Sequence, residues 1–181
     1  MKLPTKKPKL PTTLAKAKNG QLSDRQLVGC GIPGFKMAQP AARAMKALVA
    51  LAREAGFELT ATGTYRSLEQ QERLFRQRYS RFPLENAPTR TWNGDVWYQK
   101  PRTAVAAVPG TSNHGLGLAA DLALINKQGR VVSLPANCVS FLINEAPKFG
   151  FYAELQSEPW HWTYTEGDKI PQTVLDFEAK K

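Results

Sequence analysis

Cysteine and histidine are scarce in this 181-residue chain, which contains two of each. Cys30 and Cys138 lie far apart and no CxxC pair is present, so the sequence indicates no cysteine-based zinc site. Because an unpaired cysteine packs like a small apolar residue, we expect two buried thiols rather than a disulfide. An HExxH pattern, which places two metal-binding histidines on one helix, is also absent.

Long hydrophobic runs are absent as well. The apolar stretch at residues 47–52 is far shorter than the roughly 20 residues that a membrane-spanning helix needs. The N-terminus has lysines but no apolar segment after them, so the sequence predicts no secretory signal. We therefore expect a protein that is made in the cytoplasm and does not insert into a membrane. The length suits one compact domain, and we expect a monomer.

Acidic residues are missing from residues 1–20, which contain six lysines and so carry six of the ten net positive charges. With Pro4, Pro8 and Pro11, this composition predicts a flexible basic leader over residues 1–21, followed by one domain over residues 22–181. The leader is compatible with contacts to anionic polymers and equally with a solvated segment that aids solubility. The tryptophans lie elsewhere in the chain, which argues against a nucleic-acid-binding surface.

Hydrophobic periodicity predicts an α+β fold, with a small central antiparallel sheet flanked by helices. Helical patterns cover residues 40–56, a segment that begins with the Ser67 and Gln70 capping box, residues 137–146, and a short segment after Pro171. Strand patterns cover residues 57–62, 118–125, 151–154 and 160–165. No periodicity holds over residues 81–110, and so long an irregular stretch is more often functional than idle.

His114 and Asp121 are the first candidate site residues. Gly115 and Gly117 permit a sharp turn that can bring the two side chains together. Asp121 stands in an apolar strand, where a carboxylate needs a cation or strong hydrogen bonds because burying it unpaired is costly. A metal ion would compensate the charge, although a turn or ion-pair role for Asp121 is also compatible with the sequence.

His161 lies between Trp160 and Trp162, and strand alternation would place it on the opposite face from both tryptophans. Together with His114 and Asp121 it would complete the three protein ligands of a catalytic zinc, with one position left for water. Two imidazoles and a carboxylate suit that metal. Taken alone, however, each histidine is more often a core or surface residue than a ligand.

Glu158 and Arg66 carry the remaining candidate chemistry. The bend at Pro159 would bring Glu158 back towards His161, where it could act as a general base. Arg66 lies between a predicted strand and the helix capped by Ser67, and its guanidinium matches the geometry of a carboxylate. An ordinary surface arginine near a helix start remains the alternative for Arg66.

Three motifs, in this order along the chain, resemble those of a known peptidase family. They are Tyr65-Arg66-Ser67 followed by Gln71, which matches a YRS…Q segment; Ser112 to Asp121, which matches SxHxxGxAxD; and Glu158 to His161, which matches ExxH. Over about residues 40–165 the chain is similar to the VanY-like zinc peptidases. That family includes D-Ala-D-Ala carboxypeptidases, D-Ala-D-Ala dipeptidases and phage L-alanyl-D-glutamate endopeptidases.

The resemblance implies the small α+β fold of that family and one zinc ion per chain. It implies that zinc is bound by the side chains already singled out, namely His114, Asp121 and His161, with Glu158 as the general base. It further implies that Arg66 contacts the substrate or steadies the transition state, with Ser112 and Gln71 also at the substrate. We expect Trp160 to line the same groove.

Three functions are compatible with these features. The first is a D-Ala-D-Ala carboxypeptidase that hydrolyses peptidoglycan stem peptides, and the second is an L-alanyl-D-glutamate endopeptidase. The third is a cell-wall-binding module without catalysis, in which the N-terminal lysines contact anionic wall polymers. Residues 109–114 and the predicted leader look like those of bacteriophage lysins, so we expect an endolysin that reaches the wall during phage lysis.

Overall fold

The computed structural model describes residues 2–180 and contains four α-helices among them. They are α1 (Gln39–Glu54), α2 (Leu68–Arg78), α3 (Ala136–Glu145) and α4 (Gln172–Ala179). Pro40 lies in the first turn of α1, where its missing N–H costs no hydrogen bond. The predicted capping box forms at α2, where Ser67 and Gln70 satisfy each other's backbone N–H groups.

The central sheet confirms the predicted α+β class. Its strands are β3 (Leu59–Gly63), β7 (Ala119–Ile125), β8 (Val131–Val132), β9 (Phe151–Ala153) and β10 (His161–Tyr164). The order is β3-β7-β10-β9, with β8 paired to β7, and every pairing is antiparallel. A separate two-stranded ribbon joins β1 (Leu27–Gly29) to β2 (Lys36–Ala38).

Strand β10 separates the hydrophobic core from the candidate site. Trp162 and Tyr164 are fully buried in the core cluster that also contains the apolar face of α1. His161 and Thr163 alternate with them and so face the other side of the sheet. Cys30 and Cys138 are buried free thiols, as the composition predicted.

The stretch predicted to be irregular over residues 81–110 contains two strands of a small sheet, so that prediction is wrong. Strands β4 (Tyr79–Ser80), β5 (Thr89–Trp92) and β6 (Asp95–Gln99) pair in the order β4-β6-β5. Asn93 and Gly94 form the two-residue turn between β5 and β6, and both have positive φ. Asn-Gly is a favoured hairpin turn because its two residues tolerate that conformation.

A second hydrophobic cluster joins this small sheet to α2. Phe75 of α2 stacks on Tyr79, with ring centroids 4.5 Å apart, and meets Trp92 and Trp97 edge-on. All four aromatic side chains are buried. The long segment between α2 and β7 is therefore anchored to the domain by its tryptophans, which hydrophobic periodicity alone did not reveal.

The N-terminal segment (residues 2–20) also differs from the predicted flexible leader. The backbone N–H of Ala153 donates to the Pro4 carbonyl at 2.9 Å, and that of Lys9 donates to the Thr165 carbonyl at 3.1 Å. Leu3 is buried, with 3% of its surface exposed. The segment lies along the domain because apolar side chains between its lysines have sites to fill and its extended backbone has partners.

None of the helices among residues 2–180 is long and apolar enough to cross a membrane.

Candidate metal centre

The pairing of β7 with β10 places Asp121 directly opposite His161. His114 reaches the same point from a short 3₁₀ helix, Asn113–Leu116, that precedes β7. Gly117 ends this helix in the left-handed conformation at φ 64°, a role that favours glycine. One ligand atom from each of His114, Asp121 and His161 lies within 4.8 Å of the others. The structure thus brings together the three residues proposed from the sequence as metal ligands.

Asp121 is the common partner of the two imidazoles. Its carboxylate lies 3.3 Å from Nε2 of His114 and 2.8 Å from Nδ1 of His161. Burial alone would raise the pKa of Asp121, but the hydrogen bonds to both histidines outweigh it and hold the pKa far below its usual range. Asp121 is therefore a carboxylate at neutral pH, as a metal ligand has to be.

The outer nitrogen of each imidazole has its own acceptor. Nδ1 of His114 lies 2.6 Å from the Thr64 carbonyl oxygen, and Nε2 of His161 lies 2.7 Å from the Glu154 carboxylate. Since these oxygens only accept, both outer nitrogens carry hydrogen. Nε2 of His114 and Nδ1 of His161 are thereby directed to the shared point, and with a carboxylate oxygen of Asp121 they match the kind of donor set that catalytic zinc sites use.

His161 is positively charged in the metal-free form. Burial lowers its pKa, but hydrogen bonds and charge attraction from Asp121 and Glu154 prevail and raise the pKa to about 9. The hydrogen bond from His161 in turn lowers the pKa of Glu154. A cation is thus favoured at this point of the structure, whether it is a proton on His161 or a bound metal ion.

Glu158 and Trp160 line a cleft of about 370 Å³ that also exposes the candidate ligands. The backbone N–H of His161 donates to the Glu158 carbonyl at 3.0 Å, which closes the bend at Pro159 and turns Glu158 towards the cleft. No hydrogen bond or ion pair holds the Glu158 carboxylate within residues 2–180. Trp160 precedes β10 and is 44% exposed, so it does not share the core-facing side of Trp162, contrary to the sequence-based expectation.

Arg66 lies beside the ligand cluster, with Nη2 3.8 Å from an Asp121 carboxylate oxygen. Its Nη1 donates to the Gln71 side chain at 2.8 Å, and the Gln71 amide donates to the Ala107 carbonyl at 2.8 Å. Burial lowers the pKa of Arg66 from its ordinary high value. Gln71 is itself buried, so the structure places it behind Arg66 rather than in the cleft.

Ser112 faces the cleft and accepts a hydrogen bond from the His114 backbone N–H at 3.3 Å. Sequence reasoning missed Glu154 and Thr64, the acceptors behind the two histidines. No motif marks either residue. Glu154 could have been found from the strand patterns only if the pairing of Ala153 with Trp162 had been known.

A model of the VanY family, described as D-alanyl-D-alanine carboxypeptidase, matches residues 34–167. Among solved structures, the chain is similar to the LdcB LD-carboxypeptidase at 24% identity and TM-score 0.55, covering 89% of this chain and 76% of that one. The vancomycin-resistance D,D-pentapeptidase VanY, in complex with Zn(II), is 19% identical at TM-score 0.54, covering 98% and 92%.

The vancomycin-resistance D,D-dipeptidase VanXYg, in complex with a D-Ala-D-Ala phosphinate analogue, is 27% identical at TM-score 0.54. That likeness covers 91% of this chain and 65% of VanXYg. No curated protein matches the chain.

Proposed function

This chain belongs to the D-alanyl-D-alanine carboxypeptidase family, and we propose that it is a zinc-dependent peptidase that removes the terminal D-alanine of peptidoglycan stem peptides. One observation carries the proposal: His114, Asp121 and His161 converge at the floor of a cleft, with each imidazole oriented from behind by an oxygen acceptor. Such a three-residue set leaves a coordination position free for water, as catalytic zinc sites do.

Zinc would be held by Nε2 of His114, a carboxylate oxygen of Asp121 and Nδ1 of His161. A zinc ion bound there supplies Lewis-acid chemistry, which lowers the pKa of water and polarises the scissile carbonyl. Asp121 brings a negative charge to the site, and it remains ionised because its pKa is held so low. The remaining steps of hydrolysis fall to side chains of the cleft.

Glu158 is the proposed general base. Its carboxylate faces the cleft and is not engaged by another side chain of the described residues, so it can accept a proton from the attacking water. It then delivers that proton to the nitrogen of the departing D-alanine as the peptide bond breaks. One water molecule is consumed, and the products are a shortened peptide with a new carboxylate and a free amine.

Arg66 is the proposed anchor for the substrate carboxylate. Its guanidinium is oriented by the Gln71 amide and lies beside the candidate ligands, with Nη2 3.8 Å from an Asp121 carboxylate oxygen. A guanidinium can donate two parallel hydrogen bonds to a carboxylate, which a carboxypeptidase substrate carries next to the bond that is cut. Trp160 and Ser112 line the same cleft and contact the rest of the peptide in this proposal.

The test is to incubate the zinc-loaded protein with a stem pentapeptide ending in D-Ala-D-Ala and to identify the products by mass. We expect release of one D-alanine, abolished by chelation and by Glu158→Ala. Cleavage between L-Ala and D-Glu would replace the carboxypeptidase by the endopeptidase of the same family. Absence of any cleavage with zinc bound would overturn the enzymatic proposal in favour of a wall-binding module.

A C-terminally amidated pentapeptide tests Arg66 separately. If Arg66 binds the terminal carboxylate, amidation should lower kcat/KM of the wild type by about 10- to 100-fold, the usual worth of charge-assisted hydrogen bonds. Arg66→Lys keeps the positive charge but cannot donate two parallel hydrogen bonds. We therefore expect this variant to lose most of the preference for the free-acid peptide over the amidated one. If wild type and Arg66→Lys prefer the free-acid peptide over the amidated one by the same factor, Arg66 does not bind the terminal carboxylate.

A further inference from the structure

We propose that Glu154 is a positioning residue of the metal centre, which orients His161 for metal binding from the side of the ring that faces away from the metal. This inference rests on the proposed zinc site and adds a residue that lies outside the family's three motifs. Glu154 follows β9. The pairing of Ala153 with Trp162 brings the Glu154 side chain alongside the face of β10 that carries His161 and Thr163.

The contacts of Glu154 form a small network around the ligands. One carboxylate oxygen lies 2.7 Å from Nε2 of His161 and accepts from Thr163 Oγ1 at 3.3 Å. The other accepts from Asn113 Nδ2 at 3.0 Å. Since Asn113 immediately precedes His114, Glu154 connects the two segments that carry the histidines. Side-chain donors from three different residues thus fix the orientation of the Glu154 carboxylate.

The chemical consequence lies in the imidazole of His161. A carboxylate at Nε2 keeps the hydrogen on that nitrogen, so it is the hydrogen on Nδ1, donated to Asp121 in the metal-free form, that leaves when a metal binds, and the Nδ1 lone pair then faces the metal position. The negative charge also makes the ring a stronger electron donor to a metal ion. Glu154 therefore does for His161 what the Thr64 carbonyl does for His114, with the addition of a full charge.

The same geometry argues against Glu154 as the general base. The two nitrogens of an imidazole point to different sides of the ring, and Glu154 occupies the Nε2 side of His161 while Asp121 occupies the Nδ1 side. Glu154 also lines the cleft, but both of its carboxylate oxygens already accept hydrogen bonds from His161, Thr163 and Asn113, so it is less free to take a proton from water. Glu158, which lines the cleft without such contacts, is left for proton transfer.

The position of Glu154 is fixed further by the N-terminal segment. Gln156 exchanges two hydrogen bonds with the Leu3 backbone, each 2.9 Å long, and Ala153 donates to the Pro4 carbonyl. These bonds hold the chain on both sides of Glu154. A carboxylate on a loop held in this way can keep one direction towards His161.

The experiment measures the zinc dissociation constant by competition with a chromophoric chelator, which needs no hydrolysis. We expect Glu154→Ala to weaken zinc binding by about 10- to 100-fold, the usual cost of losing such an outer partner. Glu154→Gln should weaken it less, because the amide oxygen still accepts from Nε2. Glu158→Ala, the matched control, should stay within about twofold of wild type, since no hydrogen bond or ion pair joins the Glu158 carboxylate to a candidate ligand within residues 2–180.

Hydrolysis of the pentapeptide then separates positioning from proton transfer. Added zinc should restore part of the activity that Glu154→Ala loses and none of the activity that Glu158→Ala loses. A zinc dissociation constant of Glu154→Ala equal to that of the wild type would overturn the inference. Recovery of activity with added zinc in Glu158→Ala but not in Glu154→Ala would also overturn it. Failure of the wild type to bind zinc would instead overturn the proposed function, so the two failures are distinguishable.

Discussion

Gly115 shows how little space surrounds the turn that carries His114. A Cβ atom at this position would lie 2.0 Å from Oδ1 of Asn19 and 2.9 Å from the backbone nitrogen of Gly20. Gly20 also donates to the Gly115 carbonyl at 2.7 Å, so the two backbones are in direct contact. The side chain of Asn19 donates to the Ser112 carbonyl at 2.8 Å and cannot move freely.

Gly115→Ala should therefore destabilise the protein by about 1–3 kcal/mol, the usual cost of overpacking. The measurement is the free energy of unfolding from urea titration. Gly29→Ala is the matched control, because a Cβ atom there meets nothing within 4 Å, and it should change stability by less than about 0.5 kcal/mol. Equal stability of both variants would show that the two backbones can separate without cost.

At the same scale, sequence reasoning found the residues whose chemistry is unusual in itself. Two histidines in the whole chain and an aspartate in an apolar strand are recognisable without a structure. Glu154 and Thr64 are ordinary residue types in ordinary positions, and their role arises only from strand pairing. The functional roles of Glu158, Arg66, Ser112 and Trp160 remain predictions, although all four line the cleft.

Helix α2 contacts both Arg66 and the small β4-β6-β5 sheet. Its buried face carries Gln71, which supports Arg66, and Phe75, which contacts Trp92 and Trp97. Phe75→Ala should lower the free energy of unfolding by about 3–5 kcal/mol, because it empties the centre of the second hydrophobic cluster.

Phe82→Ala provides the control for this prediction, since Phe82 is 80% exposed and should contribute within about 0.5 kcal/mol. Thermal or chemical unfolding monitored by tryptophan fluorescence reports on the cluster directly, because it contains Trp92 and Trp97. A small effect of Phe75→Ala would mean that the small sheet is not packed as described.

The N-terminal segment is the second element whose packing can be measured. Leu3 is 3% exposed and lies where the segment meets Gln156, whereas Leu10 in the same segment is 48% exposed. Leu3→Ala should cost about 2–5 kcal/mol and Leu10→Ala much less, since only the first leaves a buried cavity. Equal free energies of unfolding for Leu3→Ala and Leu10→Ala would instead support the flexible leader that the lysines and prolines predicted.

These two elements also show why sequence patterns failed locally. Lysine and proline content predicts the flexibility of an isolated segment. It does not predict the site on the domain in which Leu3 is buried. Strands β5 and β6 are short; β5 is exposed except at Trp92, and β6 is mostly half-buried, so neither shows a clear alternation. The Asn93-Gly94 turn was the available signal for that hairpin. The long helices and the central strands, with strong periodicity, were predicted to within a few residues.

For the whole molecule, the net charge of +10 predicts attraction to anionic polymers. Lys2, Lys7, Lys9, Lys16 and Lys18 are exposed on the N-terminal segment, while Lys6 pairs with Glu166. Hydrolysis of intact cell-wall sacculi should fall as salt rises from about 0.1 to 1 M, because the screening length shrinks from about 10 to 3 Å. Hydrolysis of a soluble pentapeptide, the control, should change far less, and a parallel loss on both substrates would contradict wall attraction.

A zinc titration of metal-stripped protein, with pentapeptide hydrolysis as the readout, tests directly whether one bound zinc ion makes the protein an active peptidase. We expect no hydrolysis without metal, a linear rise with added zinc and a plateau at one equivalent per chain. His114→Ala and His161→Ala should remain inactive at that plateau, since each lacks one of the ligands that converge with Asp121. Full activity of the stripped protein, or of either variant with one equivalent of zinc, would show that hydrolysis does not depend on a zinc ion held by these three residues.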